Sequence, residues 1–104
     1  MKKLTLTIPL IAILALSGCG DLFANEPTKQ EQCEDLAQTA FNAMTFRQAG
    51  KGKDTLISQN KGRVDHLYIV NAAYKYYDIR EDDGDKVMEI QAYKTGIYIG
   101  CMEQ

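Results

Sequence analysis

Apolar residues are spaced differently in successive parts of the chain, and the spacing predicts its elements. Leu4 to Leu16 is a run of thirteen uncharged, mostly apolar residues behind Met1-Lys2-Lys3. A membrane-spanning helix needs about 20 such residues. The short run behind a positive start matches the apolar core of an export signal instead. Gly20 to Pro27 shows little periodicity and predicts a linker. Beyond it, Cys33, Leu36, Ala37, Ala40, Phe41 and Met44 recur at three- and four-residue intervals, which places them on one face of a helix. Thr28-Lys29-Gln30-Glu31 ahead of that stretch is a capping-box pattern, in which the Thr and Glu side chains satisfy each other's backbone amides. Arg47 suits the negative end of the helix dipole, and Gly50 provides a stop.

Ala49 to Gly62 is rich in Gly and Lys, interrupted by Asp54-Thr55-Leu56-Ile57-Ser58, where Asp54 is expected to cap a short helix. A second long helix is expected from near Asp65 to about Ile79. Ile69, Ala72, Ala73 and Tyr76 form one stripe of it, with Leu67, Val70, Tyr74 and Tyr77 alongside. Arg80 to Asp85 reads as a solvated turn whose acids precede a further helix, where negative charge is favoured. Val87, Ile90, Tyr93 or Lys94, Ile97 and Cys101 then recur every three or four residues. The competing pattern is a hairpin, Val87 to Tyr93 and Ile97 to Cys101 around Lys94-Thr95-Gly96, because glycines at 96 and 100 each weaken a helix by about 1 kcal/mol. The expected fold is therefore an all-α domain of three to four helices, with an α+β arrangement ending in a hairpin as the alternative.

Leu16-Ser17-Gly18-Cys19 directly after the apolar core resembles the lipobox of bacterial lipoproteins: an aliphatic residue, two small residues and a cysteine. The resemblance implies that the Cys19 thiol is alkylated with diacylglycerol, that the chain is cut between Gly18 and Cys19, and that the new amine can be acylated. Residues 1–18 are then a signal peptide, 19–27 a lipidated tether and 28–104 a periplasmic domain. Several acyl chains, at about 0.8 kcal/mol per buried methylene, anchor a protein stably where one does not. Gly20 beside the lipidated cysteine, with Asp21 one place later, points to the outer membrane with the domain facing the periplasm. In a bacterium with one membrane the anchor is the outer face of the plasma membrane. The eight residues from Gly20 to Pro27 reach roughly 30 Å at most, which holds the domain near its bilayer.

Charge and cysteine count sharpen this picture. The chain has 12 basic and 14 acidic side chains, and loss of the signal removes Lys2 and Lys3, leaving a net charge of −4. Such a balance argues against nucleic-acid binding and against electrostatic attraction to anionic lipid, so the expected contact with the bilayer is the acyl group alone. Of three cysteines, lipidation uses Cys19 and leaves Cys33 and Cys101, which in an oxidising compartment are expected to pair and join the first and last helices. Closing a loop of that size is worth roughly 4 kcal/mol in the chain-entropy model, much of what a domain this small can muster.

The remaining chemistry is sparse. His66 beside Asp65 has the makings of an oriented base, but no nucleophile accompanies it, and it is expected as an exposed histidine at a helix start. Aligning Glu81 to Asp85 on a calcium-binding loop with Gly84 as the turn glycine puts Ile79 and Ile90 where carboxylates are required, so a solvated turn is the better account. Neither a metal nor a cofactor is expected, nor an enzymatic activity. Four tyrosines between 68 and 77 cannot all point inward from one helix, which makes Tyr68, Tyr76 and Tyr77 the candidate partner surface. An early cysteine, Arg47-Gln48-Ala49-Gly50, Ala73-Tyr74 and a late cysteine together resemble a loose group of small exported helical proteins of bacteria and prophages, which carries no activity with it. The expected function is a membrane-anchored, non-enzymatic binding or accessory module acting on an envelope protein. The alternative is a prophage- or plasmid-type exclusion factor or inhibitor of an envelope receptor or cell-wall enzyme.

Overall fold

The computed structural model describes residues 26–104; the signal segment, Gly18 and Cys19 lie outside the described residues. Four helices follow in order: α1 (Lys29–Gln48), α2 (Asp54–Gln59), α3 (Val64–Tyr76) and α4 (Asp83–Met102), with no strand among the described residues. The domain is all-α and closed by one disulfide.

The start and end of α1 follow from local chemistry. Thr28 Oγ1 accepts the Glu31 amide at 3.1 Å and Glu31 Oε1 accepts the Thr28 amide at 2.9 Å, completing the capping box. At the other end Gly50 adopts φ +77°, its N–H donates to Arg47 O, and the Lys51 N–H donates to Phe46 O at 3.0 Å. This left-handed turn satisfies carbonyls the helix leaves open, and a side chain at Gly50 would strain it. Cys33, Ala37, Ala40, Ala43 and Met44 are buried along one face. The alanines keep that face low, so neighbouring helices approach closely.

In α2 Asp54 is the first helical residue, not the cap; Lys53 holds the cap position and makes no side-chain bond there. The carboxylate still suits the positive helix start. Leu56 is the buried residue of α2, and its carbonyl accepts from Asn60 Nδ2 at 2.8 Å.

Helix α3 stops at Tyr76, short of the expected Ile79. The Tyr77 backbone is extended, and its carbonyl accepts from Arg47 Nε at 2.9 Å, while Asp78 O accepts from Gln48 Nε2 at 2.8 Å. Side chains from the end of α1 thus take up carbonyls of the following loop and hold it in a non-helical path. Asp82 opens α4 by accepting the Asp85 amide at 3.2 Å. That helix runs unbroken through Gly96 and Gly100, so the hairpin alternative does not form. Burial of Tyr93 with partly buried Ile90 and Ile97 against the core offsets the helix weakness of the two glycines, about 1 kcal/mol each.

Helix α1 is the central element, packed against both α3 and α4. Cys33 near its start is bonded to Cys101 near the end of α4, with Cα atoms 5.5 Å apart. At the opposite end Lys86 Nζ donates to Gln48 O at 3.0 Å. These two ties make α1 and α4 antiparallel. Asp35 meets His66, and Arg47 meets Tyr77, so α3 runs parallel to α1. The core joins Ala40, Ala43, Met44, Leu56, Ile69, Val70, Ala73 and Tyr93. Fully burying side chains such as Met44 and Val70 contributes about 1.5–3 kcal/mol each.

Candidate functional site

Because α3 and α4 both lean on α1 but touch each other little, a trough is left between them. Its widest part, about 300 Å³, has Leu36, Ile69, Gly96, Ile97 and Gly100 among its walls, with Tyr68 and Asp65 also lining it near Cys101. A second hollow of about 180 Å³ shares Gly96 and Ile97 and adds Tyr77, Ala92 and Tyr93. A third, also about 180 Å³, shares Ala92 and continues to Met88, Arg80, Asp85 and Glu89. The three hollows form one track along α4. A larger single hollow, about 390 Å³, lies between α1 and α4 and has Glu34, Gln38, Lys94 and Tyr98 in its lining. It faces another side and joins none of the tyrosines expected to meet a partner.

Those three tyrosines separate. Tyr68 is 69% exposed and borders the trough; Tyr76 is 66% exposed, with the Lys75 ammonium 5.2 Å from its ring centre. Tyr77 is half-buried in the trough wall, its ring 5.0 Å from that of Tyr93 at a 59° tilt. Tyr93 is buried and its hydroxyl donates to Ile69 O at 2.7 Å, the polar tie between α3 and α4. Burial pushes the Tyr93 phenol well above the usual tyrosine range, assisted by the neighbouring Tyr77 and Tyr68 hydroxyls. Burial also raises the Tyr74 phenol, partly opposed by the Arg47 guanidinium, and its hydroxyl donates to Lys51 O at 2.7 Å.

His66 is not the exposed histidine that its position suggests. Its side chain is 12% exposed, with Nε2 lying 2.9 Å from Asp35 Oδ2 and 2.8 Å from Arg63 Nη2, and Arg63 also pairs with Asp35. Asp65, its sequence neighbour, takes no part. A single ring nitrogen either accepts from Arg63 or donates to Asp35, so the cluster ties the start of α3 to α1 and leaves Nε2 no free role as a base. Sequence reading cannot find this cluster, since Asp35 and His66 stand 31 positions apart.

Gln48 was likewise invisible as a structural residue. It is 2% exposed, and its Oε1 accepts the Arg80 amide at 2.8 Å while Nε2 donates to Asp78 O. Among the described residues no group of three His, Cys, Asp or Glu side chains is placed to hold a metal ion, and no helix is long and apolar enough to cross a membrane. Comparison with known proteins finds no matching family model, no matching curated protein and no matching solved structure.

Proposed function

We propose that the chain is an envelope lipoprotein, anchored through acylated Cys19 and acting as a non-enzymatic binding or accessory module for a protein at the same membrane. The observation that carries the binding role is the α3–α4 trough, a track in the domain's surface walled by Leu36, Ile69, Ile97, Tyr77 and Tyr93 and bordered by exposed Tyr68. Aromatic side chains beside an apolar hollow are typical contact residues. The address rests on Leu16-Ser17-Gly18-Cys19 and its resemblance to a lipobox. Gly20 in the next position favours the outer membrane, and the short tether favours a partner close by. The two domain cysteines are joined to each other and His66 is held by Asp35 and Arg63, so neither a free domain thiol nor an unengaged imidazole supports a catalytic reading.

Two measurements test this reading. Intact-mass analysis of the membrane fraction should show loss of residues 1–18 with added acyl mass, and Cys19→Ser should abolish both. An unacylated wild-type product free of membrane would refute the anchor. In-cell crosslinking from a photoreactive residue at Tyr68 should capture one specific envelope protein. Recovery of none, from intact and correctly placed protein, would refute the binding role.

A further inference from the structure

The track along α4 has apolar walls at Leu36, Ile69, Tyr77, Tyr93 and Ile97 where it runs between α3 and α4, and carries acids at both ends. Asp65 lines the end nearest Cys101, and Asp85 lines the end at the start of α4, with Asp82 and Asp83 exposed beside it. Arg80, which lines the same end, is paired with Glu89 at 3.6 Å, and the nearby Lys75 lies over Tyr76. Among the described residues neither Asp65 nor Asp85 has an ion-pair partner. Asp85 and Gly100 stand 15 positions apart on one helix, which is about 23 Å, or roughly four turns.

Ala92, Gly96 and Gly100 follow one another at four-residue intervals along this track. A Cβ built on Gly96 or Gly100 meets nothing within 4 Å, so the fold itself gives no steric reason for glycine at either place. Glycine is a poor helix former. What the strip of small residues supplies is a lowered surface on which another backbone lies close to α4.

We infer that the trough is the docking site for a cationic amphipathic helix of about four turns, carried by a partner protein. Its apolar side chains enter the hollows beside Ile69, Ile97 and Tyr77, and Lys or Arg residues near its two ends meet Asp65 and Asp85. The charge pattern selects this occupant: a second copy laid trough to trough sets like acids against these, and an anionic bilayer is repelled by them. The inference rests on the binding-module reading and specifies the partner's chemistry.

The chain contains no tryptophan, so a tryptophan in a peptide probe reports binding without interference. The probe is a 16-residue helical peptide with two Lys at each end, Leu and Ala on one face and one central Trp on that face. It is titrated against the exported protein in phosphatidylcholine nanodiscs, with empty nanodiscs as blank, or in buffer if the protein is recovered free of membrane. The expected result is a saturable blue shift of the Trp emission. A version with Glu in place of every Lys should bind at least about tenfold more weakly, and Asp65→Asn/Asp85→Asn should weaken the Lys peptide severalfold, an effect that fades with salt. Gly96→Leu, whose side chain has open space in the monomer, should block the probe while leaving the helical circular dichroism unchanged. Equal binding of the Lys and Glu peptides, or full binding to the Gly96→Leu variant, would overturn the inference. So would sedimentation showing a dimer that Gly96→Leu dissolves, which would make a second copy the occupant. Because no step depends on Cys19, failure here is separable from failure of the anchor, and partner capture at Tyr68 without peptide binding would leave the binding role standing while removing the cationic helix.

Discussion

Gln48 Oε1 accepts the Arg80 amide at 2.8 Å, joining the last residue of α1 to the loop that delivers the chain into α4. The other half of the same amide donates to Asp78 O, so one buried side chain satisfies a donor and an acceptor of the loop. Gln48→Leu keeps the bulk and removes both bonds. The expected loss is about 1–3 kcal/mol in urea unfolding, with faster hydrogen exchange at the Arg80 amide. Unchanged exchange there would show that the loop holds itself.

Tyr93 makes stability fall in alkali. Its folded-state pKa is raised by burial, whereas in the unfolded chain the phenol ionises near pH 10. The folded state holds a proton that the unfolded state releases, so this contribution is fully present below about pH 10 and is lost as the pH rises beyond it. Tyr93→Phe should cost about 0.5–1.5 kcal/mol at neutral pH through the lost bond to Ile69 O, and should flatten the fall in stability above pH 10. Chemical denaturation repeated from pH 7 to about pH 11 measures both.

Removing the Cys33–Cys101 bond, by reduction or by Cys33→Ala/Cys101→Ala, is expected to lower stability by roughly 4 kcal/mol, given the separation of 68 positions. Urea unfolding with and without reductant measures the difference. A loss below about 1 kcal/mol would mean that the reduced unfolded chain is already compact.

Thr45 Oγ1 is buried with no hydrogen-bond partner. Thr45→Val preserves the branched shape and removes a desolvated hydroxyl, so a gain of up to about 1 kcal/mol is expected in thermal or urea unfolding. A loss would reveal an ordered water at the hydroxyl.

The sequence made the framework of α1 and α4 readable because their signals are local. The capping box at Thr28 and Glu31, the stop at Gly50 and the three-to-four spacing through Val87, Ile90 and Ile97 act within a turn or two of themselves. What stayed hidden depends on distant partners. Tyr77, expected on the same exposed surface as Tyr68 and Tyr76, is half-buried against Tyr93, a ring on α4 that spacing within α3 cannot reveal. Gln48 is polar and therefore reads as surface, although Asp78 and Arg80 come to meet it. The trough is defined by two helices that fail to close on one another, and spacing within either one cannot reveal that. Gly96 and Gly100 were visible only as weak points in a helix, although in the folded chain they line the trough.

The bond between Cys33 and Cys101 also sets the order of events in the life of the chain. A ribosome makes α1 first and α4 last, so Cys33 waits as a free thiol until its partner has been synthesised. Because α4 packs directly on the central helix, the apolar face of α1 is only partly covered during the same interval. The bond therefore cannot form before α4 has been made, and until then an early-made cysteine is open to pairing with the wrong molecule.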